Sequence, residues 1–457
     1  MARDGAVYVC QSCGATHTKW SGRCDACSAW NSLVEEIGGS RPPGALSAPK
    51  LGKARAGLTF EAMDVETVAA PRIITGVEEF DRVCGGGVVP GSAMLVAGDP
   101  GVGKSTLLLQ VAASAALNGV SCVYVSGEEA IEQVRARAQR MGLGAAPVKL
   151  AGETSLRDIV EGLKRDPVEL VVIDSIQTLW SDQLEAGPGS VAQVRAAAGE
   201  LVRLAKKRRI AIVMVGHVTK DGQIAGPRVV EHMVDDVLSF EGERGYPFRI
   251  LRGTKNRFGA TDEIGVFEMS DAGLREVKNP SALFLNEGGQ RAAGAAVFAG
   301  IEGSRPVLVE FQALVAPSAY GTPRRAVVGW DSGRLAMLLA VLEARCGLGF
   351  GNRDVYLNVA GGLRIAEPAA DLAAAAALIS SALDRPLPQD CVVFGEVSLS
   401  GDVRTVGRSE ARLKEAAKLG FGRALAPASA ADGAPIAVSG VRRLEEAVTL
   451  IGEEAWR

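Results

Sequence analysis

The sequence predicts an α/β fold built around a phosphate-binding loop, preceded by a small cysteine-rich head and followed by an α+β domain. Three observations lead to this prediction. The apolar segment 93–97 runs into a glycine-rich stretch at residues 98–105, and a helix-forming segment follows it. Apolar segments and helical patterns then alternate, which is typical of β-α-β units with helices on both faces of a parallel sheet. Two Cys-x-x-Cys pairs stand near the start of the chain.

Length and composition limit the classes of protein to consider. The chain has 457 residues, of which 47% are hydrophobic and 23% charged, as in an ordinary globular protein of several domains. Its formal net charge of −3 argues against a surface that is positive throughout, although a local basic groove could still bind nucleic acid. The N-terminus lacks the apolar core of a secretion signal, and no apolar run has the length of a membrane span. We therefore expect a cytoplasmic protein without a membrane partner.

The chain divides into four segments. Residues 1–37 hold the clustered cysteines, and residues 38–56 have the Gly- and Pro-rich composition of a linker. Residues 57–280 carry the α/β pattern, and residues 285–457 form a second, α+β region. In the α/β domain we predict strands at 93–97, 121–126, 169–174, 210–216, 234–241, 246–253 and 263–269, and helices at 104–118, 128–141, 155–165 and 190–208. In the last domain we predict strands at 306–315, 355–359 and 391–399, and helices at 332–345, 370–383 and 409–419.

The cysteine-rich head has the spacing of a four-cysteine zinc site, with the ligands Cys10, Cys13, Cys24 and Cys27. Each Cys-x-x-Cys pair turns tightly enough for both thiolates to bind one ion. A head of this size cannot bury a sufficient core, whereas a structural zinc ion contributes on the order of 10 kcal/mol. A redox Cys-x-x-Cys would need only one pair and a thioredoxin-like context. We predict a zinc ribbon. His17 could compete as a ligand, but we expect it at the surface, and whether the ribbon contacts DNA or protein stays open.

The glycine-rich stretch, here called the P-loop (residues 98–105), matches the motif G-x-x-x-x-G-K-[ST] in full. Its glycines let backbone N–H groups surround phosphates, and the following helix directs its positive N-terminus toward them. Lys104 is predicted to reach the β- and γ-phosphates of ATP, and Ser105 to ligate Mg²⁺. The alternative is a glycine-rich turn ahead of an ordinary helix. The predicted nucleotide-binding residues are Gly98, Asp99, Pro100, Gly101, Val102, Gly103, Lys104, Ser105 and Thr106.

Two strand ends supply acidic residues. Residues 170–174 form an apolar strand that ends in Asp174, and such a carboxylate faces the ligand crevice at the C-terminal edge of a parallel sheet. We predict that Asp174 holds Mg²⁺ through water. Glu128 and Glu129 follow the strand 121–126, and either could be a first-turn residue favoured by the helix dipole. Glu128, which is nearer the strand, is predicted to position the attacking water.

A further segment, here called the pentapeptide (Lys255-Asn-Arg-Phe-Gly259), carries two cations two residues apart. In extended backbone, the side chains of Lys255 and Arg257 would lie on the same side. The spacing alone favours a solvated hairpin tip.

Taken together, these residues resemble the bacterial RadA (Sms) family of recombination-repair ATPases along essentially the whole chain. The resemblance rests on the P-loop, the four-cysteine pattern and the pentapeptide, which matches the signature of that family. It implies a RecA-type ATPase core that uses ATP, Mg²⁺ and Zn²⁺. It also implies a ring-forming, DNA-dependent ATPase, expected to be a hexamer, which responds to DNA damage. Such a protein would drive branch migration on single-stranded and branched DNA beside the RecA recombinase.

The resemblance also implies roles for the pentapeptide. In related ring motors such as the replicative DnaB helicases, a Lys-x-Arg pair reaches the nucleotide of the adjacent subunit. Lys255 and Arg257 are thus candidates for a catalytic role in trans, worth roughly 10³–10⁵ in rate. The open alternative places both cations on DNA phosphates.

By analogy with RecA, the loops 181–191 and 219–229 would face the ring channel, with Lys220 and Arg228 on the DNA backbone. His217, at the end of the strand 210–216, stands where RecA-type motors carry a nucleotide-sensing polar residue. A strand-end histidine satisfied by local partners is the alternative.

The last domain resembles the Lon protease fold through residues 395–407 and the helix after them. Where Lon places its nucleophilic serine, this chain reads Glu367-Pro-Ala-Ala-Asp371, and Glu410 replaces the activating lysine. Without nucleophile or base, Ser–Lys chemistry is impossible, so we expect a scaffold and not a protease. The predicted function is an ATP-driven motor on recombination intermediates. The alternative is a nucleotide-switched factor that loads a recombinase without translocating.

Overall fold

The computed structural model describes residues 6–10, 15–17, 19–37, 71–217, 229–242, 246–261, 263–281, 292–318, 322–453 and 456. The predicted linker, Cys13, Lys220 and Arg228 lie outside these residues. The chain forms two compact units: residues 1–241 with 249–276, and residues 242–248 with 277–457. None of the described helices combines the length and hydrophobicity that a membrane span requires.

The head is a three-stranded antiparallel sheet. Its strands are β1 (Ala6–Cys10), β2 (Thr16–His17) and β3 (Leu33–Ile37), with β1 in the centre. Only Cys10, Cys24 and Leu33 form a buried cluster among the described head residues, with Tyr8 and Ala15 against it. So small a core needs an additional crosslink, such as a bound metal ion, to hold its strands together.

The first unit continues as a large α/β domain. Its elements are α1 (Glu78–Val83), β4 (Ala93–Gly98), α2 (Lys104–Leu117), β5 (Cys122–Ser126), α3 (Ile131–Arg140), β6 (Lys149–Gly152), α4 (Leu156–Arg165), β7 (Leu170–Asp174), α5 (Val191–Arg208), β8 (Ala211–His217), α6 (Val229–Met233), β9 (Asp236–Glu241), β10 (Phe248–Asn256), β11 (Ile264–Ser270) and β12 (Gly273–Glu276). The predicted strands and helices of this domain are confirmed to within a few residues. Helices α1 and α6 and strands β6 and β12 are additions to the prediction.

One nine-stranded sheet organises this domain, in the order β12-β11-β10-β9-β4-β8-β7-β5-β6. The strands from β9 to β6 run parallel, whereas β10 turns back antiparallel to β9. The P-loop strand β4 is therefore separated from β7 by one strand. This α/β architecture agrees with the predicted fold class.

Helices cover both faces of the sheet, as the apolar strands require. Met94 and Val96 of β4 pack on the face that contacts α2, and Ala93 and Leu95 pack on the opposite face, toward α4 and α5. Because every residue of β4 is buried, the strand is a rigid support for the loop that follows it.

The second unit is an α+β domain with a seven-stranded sheet. Its elements are β13 (Ala295–Glu302), β14 (Arg305–Pro317), β15 (Arg325–Val328), α7 (Ser332–Cys346), β16 (Arg353–Val359), α8 (Asp371–Leu383), β17 (Cys391–Val393), β18 (Glu396–Val397), β19 (Val403–Arg404), α9 (Ser409–Lys418), β20 (Arg423–Pro427), β21 (Ala437–Val441) and α10 (Leu444–Gly452). The sheet order is β15-β16-β14-β13-β17-β20-β21. The single strand predicted at 391–399 is wrong, since the chain leaves the sheet after Val393 and β18 pairs with β19 instead.

Two acidic residues of the segment 367–371 form ion pairs, each with one fully buried partner. Asp371 is fully buried and accepts two hydrogen bonds from Arg334, at 2.9 and 2.6 Å, while Ala369 lies buried beside it. Glu367 pairs with the buried Arg412 of α9. Glu410, which the resemblance sets in place of the Lon lysine, has a side chain that is 75% exposed and pairs with Lys414 one turn along α9.

Candidate nucleotide site

The P-loop is closely packed against the sheet. A Cβ atom on Gly98 would lie 2.2 Å from the carbonyl oxygen of Phe240, so only glycine fits there. Gly103, the residue before α2, has φ +112°, a conformation that side chains rarely adopt. The loop therefore needs glycine at these two positions to lead β4 directly into α2.

Lys104 lies at the base of this loop with 3% of its surface exposed. Its Nζ donates hydrogen bonds to the carbonyl oxygens of Gly98, at 2.7 Å, and Asp99, at 2.9 Å. Burial lowers the pKa of Lys104, and the charges of Asp174 and Glu128 oppose this shift. The ammonium group is thus close enough to both predicted acidic residues to interact with them electrostatically.

The strand ends bring the acidic residues to the same edge of the sheet. Gly98 is in register with His217, and Ser126 with Asp174. The Tyr124 hydroxyl donates a 2.5 Å hydrogen bond to Asp174 Oδ2, and burial raises the pKa of Tyr124 well above its usual value. Among the described residues, Asp174 Oδ1 is buried and has no hydrogen-bond partner. An unpartnered carboxylate oxygen at this edge fits a residue that binds the water of a magnesium ion.

Glu128 is the second carboxylate of this edge. It accepts a hydrogen bond from the Ser175 hydroxyl and lies 2.8 Å from Nε2 of His217. The hydrogen bond with His217, more than any other contact, lowers the pKa of Glu128 to about 2. Glu129 points elsewhere and pairs with Arg137 of α3. The two glutamates therefore have different surroundings, and only Glu128 joins the strand-end cluster.

The sequence reasoning missed Tyr124 and Ser175, which hold these carboxylates. Ser175 follows Asp174 directly and Tyr124 is the central residue of β5. The position of Ser175 directly after a strand end was an available signal, whereas Tyr124, inside β5, offered none. His217 has a local partner, since its Nε2 bonds to Glu128, while its Nδ1 is buried without a partner in the described part of the chain; a nucleotide-sensing role stays a prediction.

The pentapeptide lies at the opposite edge of the sheet from the P-loop, that is, at the edge where β4 begins and not where it ends. Asn256 pairs with Asp236, and Asp236 is in register with Met94, near the start of β4. Met94 and Gly98 are four residues apart, or about 13 Å along the strand. Neither Lys255 nor Arg257 reaches the P-loop of its own chain.

Both cations of the pentapeptide are held by α6 and the residues that follow it. Lys255 Nζ donates to the carbonyl oxygens of Glu231 and Val234, both at 2.7 Å. Arg257 Nη1 lies 3.1 Å from Asp235 Oδ1. The premise of extended backbone was wrong, because β10 ends at Asn256 and Arg257 lies in the bend after it.

Two buried carboxylates missed by the sequence reasoning support this arrangement. Asp235 also accepts a hydrogen bond from the backbone N–H of Ala93, and Asp236 accepts one from the backbone N–H of Arg257. Burial raises the pKa of Asp236 to about 6, against the hydrogen bond from Arg257. The available signal was an acidic pair at the start of an apolar strand.

The raised pKa of Asp236 leads to a prediction about stability. The fold favours the neutral carboxyl, so stability is lost as the pH rises through about 6, where the group ionises. We expect Asp236→Asn to be more stable than the parent at pH 8 and no more stable at pH 4. Thermal unfolding from pH 4 to pH 8 measures the difference. Asp166→Asn, at an exposed pair with Lys149, is the control, and a gain for Asp236→Asn that does not change with pH would contradict the prediction.

In the head, the sulfur atoms of Cys10, Cys24 and Cys27 lie within 4.8 Å of one another. Tetrahedral zinc with bonds of about 2.3 Å needs sulfur atoms about 3.8 Å apart, so the donor set fits. Cys13, the fourth predicted ligand, lies outside the described residues. The surface position expected for His17 is wrong, because its side chain is 15% exposed and its Nε2 lies 3.4 Å from the sulfur of Cys24.

The predicted channel loop after β7 has an internal support. The Gln193 side chain, in the first turn of α5, donates to the carbonyl oxygens of Ser181, Leu184 and Ala186 at 2.8–3.3 Å. Gln193 also accepts from the backbone N–H of Ser181 at 2.8 Å. One amide therefore fixes the path of residues 181–186. Most of the other predicted channel loop, residues 219–229, lies outside the described part of the chain.

Comparison with known proteins adds two family matches. A family model described as an AAA domain matches residues 59–223, and one described as a rubredoxin metal binding domain matches residues 8–35. The DNA repair protein RadA of Brucella abortus is 60% identical over 93% of this chain and 92% of its own length. The DNA repair protein RadA of Bacillus subtilis is 48% identical over 98% of this chain and 99% of its own length.

Among solved structures, the RadB recombinase is 23% identical, with a TM-score of 0.37 over 45% of this chain and 100% of that one. A DnaB-like replicative helicase is 13% identical, with a TM-score of 0.41 over 46% of this chain and 62% of that one.

Proposed function

The chain belongs to the RadA family of DNA repair proteins and is a RecA-type ATPase, and on this premise we propose that it moves recombination intermediates. It would couple ATP hydrolysis to branch migration or helicase-like movement, beside a RecA-type recombinase. One observation carries the proposal: the P-loop and the cations of the pentapeptide lie at opposite edges of the same sheet. A site divided in this way is completed when a second copy places its pentapeptide against the P-loop.

Each residue of the P-loop edge has a proposed role. The backbone of residues 98–106 holds the phosphates of ATP, and Lys104 neutralises their charge. Ser105 and Asp174 are the residues that hold Mg²⁺, which supplies charge neutralisation at the phosphates when bound. Glu128 orients the attacking water. Its hydrogen bonds to Ser175 and His217 set the position of its carboxylate.

We propose that Lys255 and Arg257 stabilise the developing negative charge in the site of a neighbouring subunit. Head-to-tail contacts of this kind close into a ring when the rotation between subunits permits it, and we propose a hexamer. Hydrolysis would then depend on assembly. The alternative use of the same cations, on DNA phosphates, predicts that their loss weakens DNA binding and its salt dependence.

The remaining segments complete the proposal. Lys220 and Arg228 contact the DNA backbone in the ring channel, and the protein acts on cytoplasmic DNA under genotoxic stress. Residues 1–37 form the zinc ribbon, 57–280 the ATPase domain and 285–457 a Lon-like scaffold without proteolytic chemistry. The ion pairs Arg334–Asp371 and Arg412–Glu367 support a scaffold role, since they engage the two acidic residues of the segment 367–371, which the sequence resemblance sets in place of the Lon serine motif.

The zinc assignment leads to a prediction about metal content. Purified protein should carry about one zinc ion per chain, and Cys24→Ser should lose most of it because three thiolates hold the ion weakly. Elemental analysis after gel filtration measures the ratio. Cys346→Ser, which changes a cysteine of α7, should keep its metal. Equal zinc in the parent and in Cys24→Ser would refute the site.

Two assays test the proposed function. We expect the ATPase rate to rise when single-stranded DNA is added at low salt. On three-stranded substrates in the presence of RecA, we expect the protein to lengthen the stretch of exchanged strand. No stimulation by any DNA would contradict a DNA-dependent motor. Stimulation of RecA filament formation without any strand displacement would instead support the loading factor.

A further inference from the structure

Arg72 links the start of the ATPase domain to the pentapeptide. Its guanidinium donates to the carbonyl oxygens of Cys84, at 3.0 Å, and Gly87, at 3.1 Å. It also donates to the carbonyl oxygen of Phe258, inside the pentapeptide, at 2.6 Å. Arginine presents several donors in a rigid plane, so one side chain can hold the turn at residues 84–87 and the pentapeptide in fixed geometry.

The backbone around this link has little room to move. A Cβ on Gly259 would lie 3.1 Å from the Cα of Gly85, so the turn after α1 and the pentapeptide touch through their backbones. Asn256 accepts a 2.8 Å hydrogen bond from the backbone N–H of Phe258. Arg72 and the turn at residues 84–87 thus both contact the backbone of the pentapeptide.

Arg72 and the two cations of the pentapeptide make their hydrogen bonds to different parts of the chain. Arg72 contacts only the backbone of the pentapeptide, whereas the side chains of Lys255 and Arg257 bind residues 231–235. Loss of Arg72 would leave both cations present and charged. It would remove the contact that sets the backbone from which they extend.

We propose that Arg72 is a positioning residue for the pentapeptide, which it holds in the geometry that ATP hydrolysis requires. The proposal rests on the proposed role of Lys255 and Arg257 in the site of a neighbouring subunit. Arg72 itself touches neither the P-loop nor the strand-end cluster in the contacts described above. Its effect on catalysis would be indirect, through the placement of Arg257.

The first test is the ATPase activity of Arg72→Ala and Arg72→Lys. Displacement of a catalytic group by about 1 Å can cost about 10²-fold in rate, so we expect a fall of that order in kcat for Arg72→Ala. Binding of a fluorescent ATP analogue should not change, since the P-loop is intact. Arg72→Lys keeps a donor to the same carbonyls and should lose less. Arg208→Ala, which removes another hydrogen bond from an arginine to a backbone carbonyl, is the matched control.

The second test separates positioning from general destabilisation. Arg72→Ala subunits keep a complete P-loop, so mixing them with Lys104→Ala subunits should restore activity, as it should for Arg257→Ala subunits. An unaltered rate for Arg72→Ala would overturn the proposal. It would also fall if Arg257→Ala subunits were rescued and Arg72→Ala subunits were not.

A double variant decides the case in which no mixture recovers activity. That result would remove the trans role from the proposed function, while Arg72 could still position the pentapeptide for DNA. If Arg72 acts through Arg257, adding Arg72→Ala to Arg257→Ala should lower the DNA-stimulated rate no further. Multiplicative losses in the double variant would show that Arg72 acts independently, and the inference would be wrong.

Discussion

Arg257→Ala is expected to abolish ATP hydrolysis in homogeneous assemblies and to allow its recovery when Lys104→Ala subunits are mixed in. Removal of a cation that stabilises the transition state costs roughly 10³–10⁵ in rate. The two residues lie at opposite edges of one sheet, so each variant damages a different half of the site. In the mixture, intact halves meet wherever an Arg257→Ala P-loop faces a Lys104→Ala neighbour.

The experiment measures the ATPase rate against mixing ratio at constant total protein. Random assembly of an equal mixture would complete about a quarter of the sites, and any other ratio would complete fewer. The rate should therefore pass through a maximum near the equal mixture. Lys104→Ala mixed with Asp174→Ala is the control, because both changes damage the same half and no recovery is expected. Absence of recovery at every ratio of Arg257→Ala to Lys104→Ala would favour DNA contact for the pentapeptide.

Glu128→Gln is expected to lower kcat by about 10²-fold while nucleotide binding is kept, because the attacking water loses its orientation. The amide preserves the shape of the side chain but removes the negative charge that orients water. With a pKa of about 2, Glu128 is ionised throughout the neutral range and is a weak base. We therefore expect its main role to be orientation of the water, and the acidic limb of the pH–rate profile not to report its titration.

Single-turnover ATP hydrolysis and equilibrium binding of an ATP analogue measure the two quantities separately. Glu129→Gln is the matched control, since Glu129 carries the same charge one residue along and pairs with Arg137 of α3. Similar losses for both variants would show that the segment, and not Glu128, matters. A weaker nucleotide affinity in Glu128→Gln with unchanged kcat would move this residue from catalysis to binding.

Much of the α/β domain could be predicted because its signals are local. The P-loop needs glycine for backbone reasons at Gly98 and Gly103, and the apolar strands around it are buried on both faces. The end of each strand placed Asp174 and Glu128 near one edge without any knowledge of the strand order. The structure brings both carboxylates to that edge and adds Tyr124, Ser175 and His217 as their partners, while the roles of these residues in hydrolysis stay predictions.

The last domain was predicted less well, because its contacts are not periodic. The stretch 391–399 is apolar enough for one strand, yet Gly395 breaks it and β18 leaves the sheet. In α9, Arg412 faces the domain interior, where its guanidinium donates hydrogen bonds to Glu367 and to the carbonyl oxygen of Ala299. The sequence pattern of the helix did not indicate this long-range contact.

The sequence by itself determined the chemistry of this protein: a nucleotide-binding loop, its acidic residues, a cysteine head and a cationic pentapeptide. These features are readable because spacing and residue type, both local, set the backbone conformation and the available ligands. Only the tertiary structure decided that the pentapeptide lies at the edge opposite the P-loop. That placement follows from the antiparallel return of β10 along β9, and from a hydrogen bond between Arg72 and Phe258, which are 186 residues apart. Contacts over such a separation leave no periodic trace in the chain, since long-range packing and not local propensity selects them.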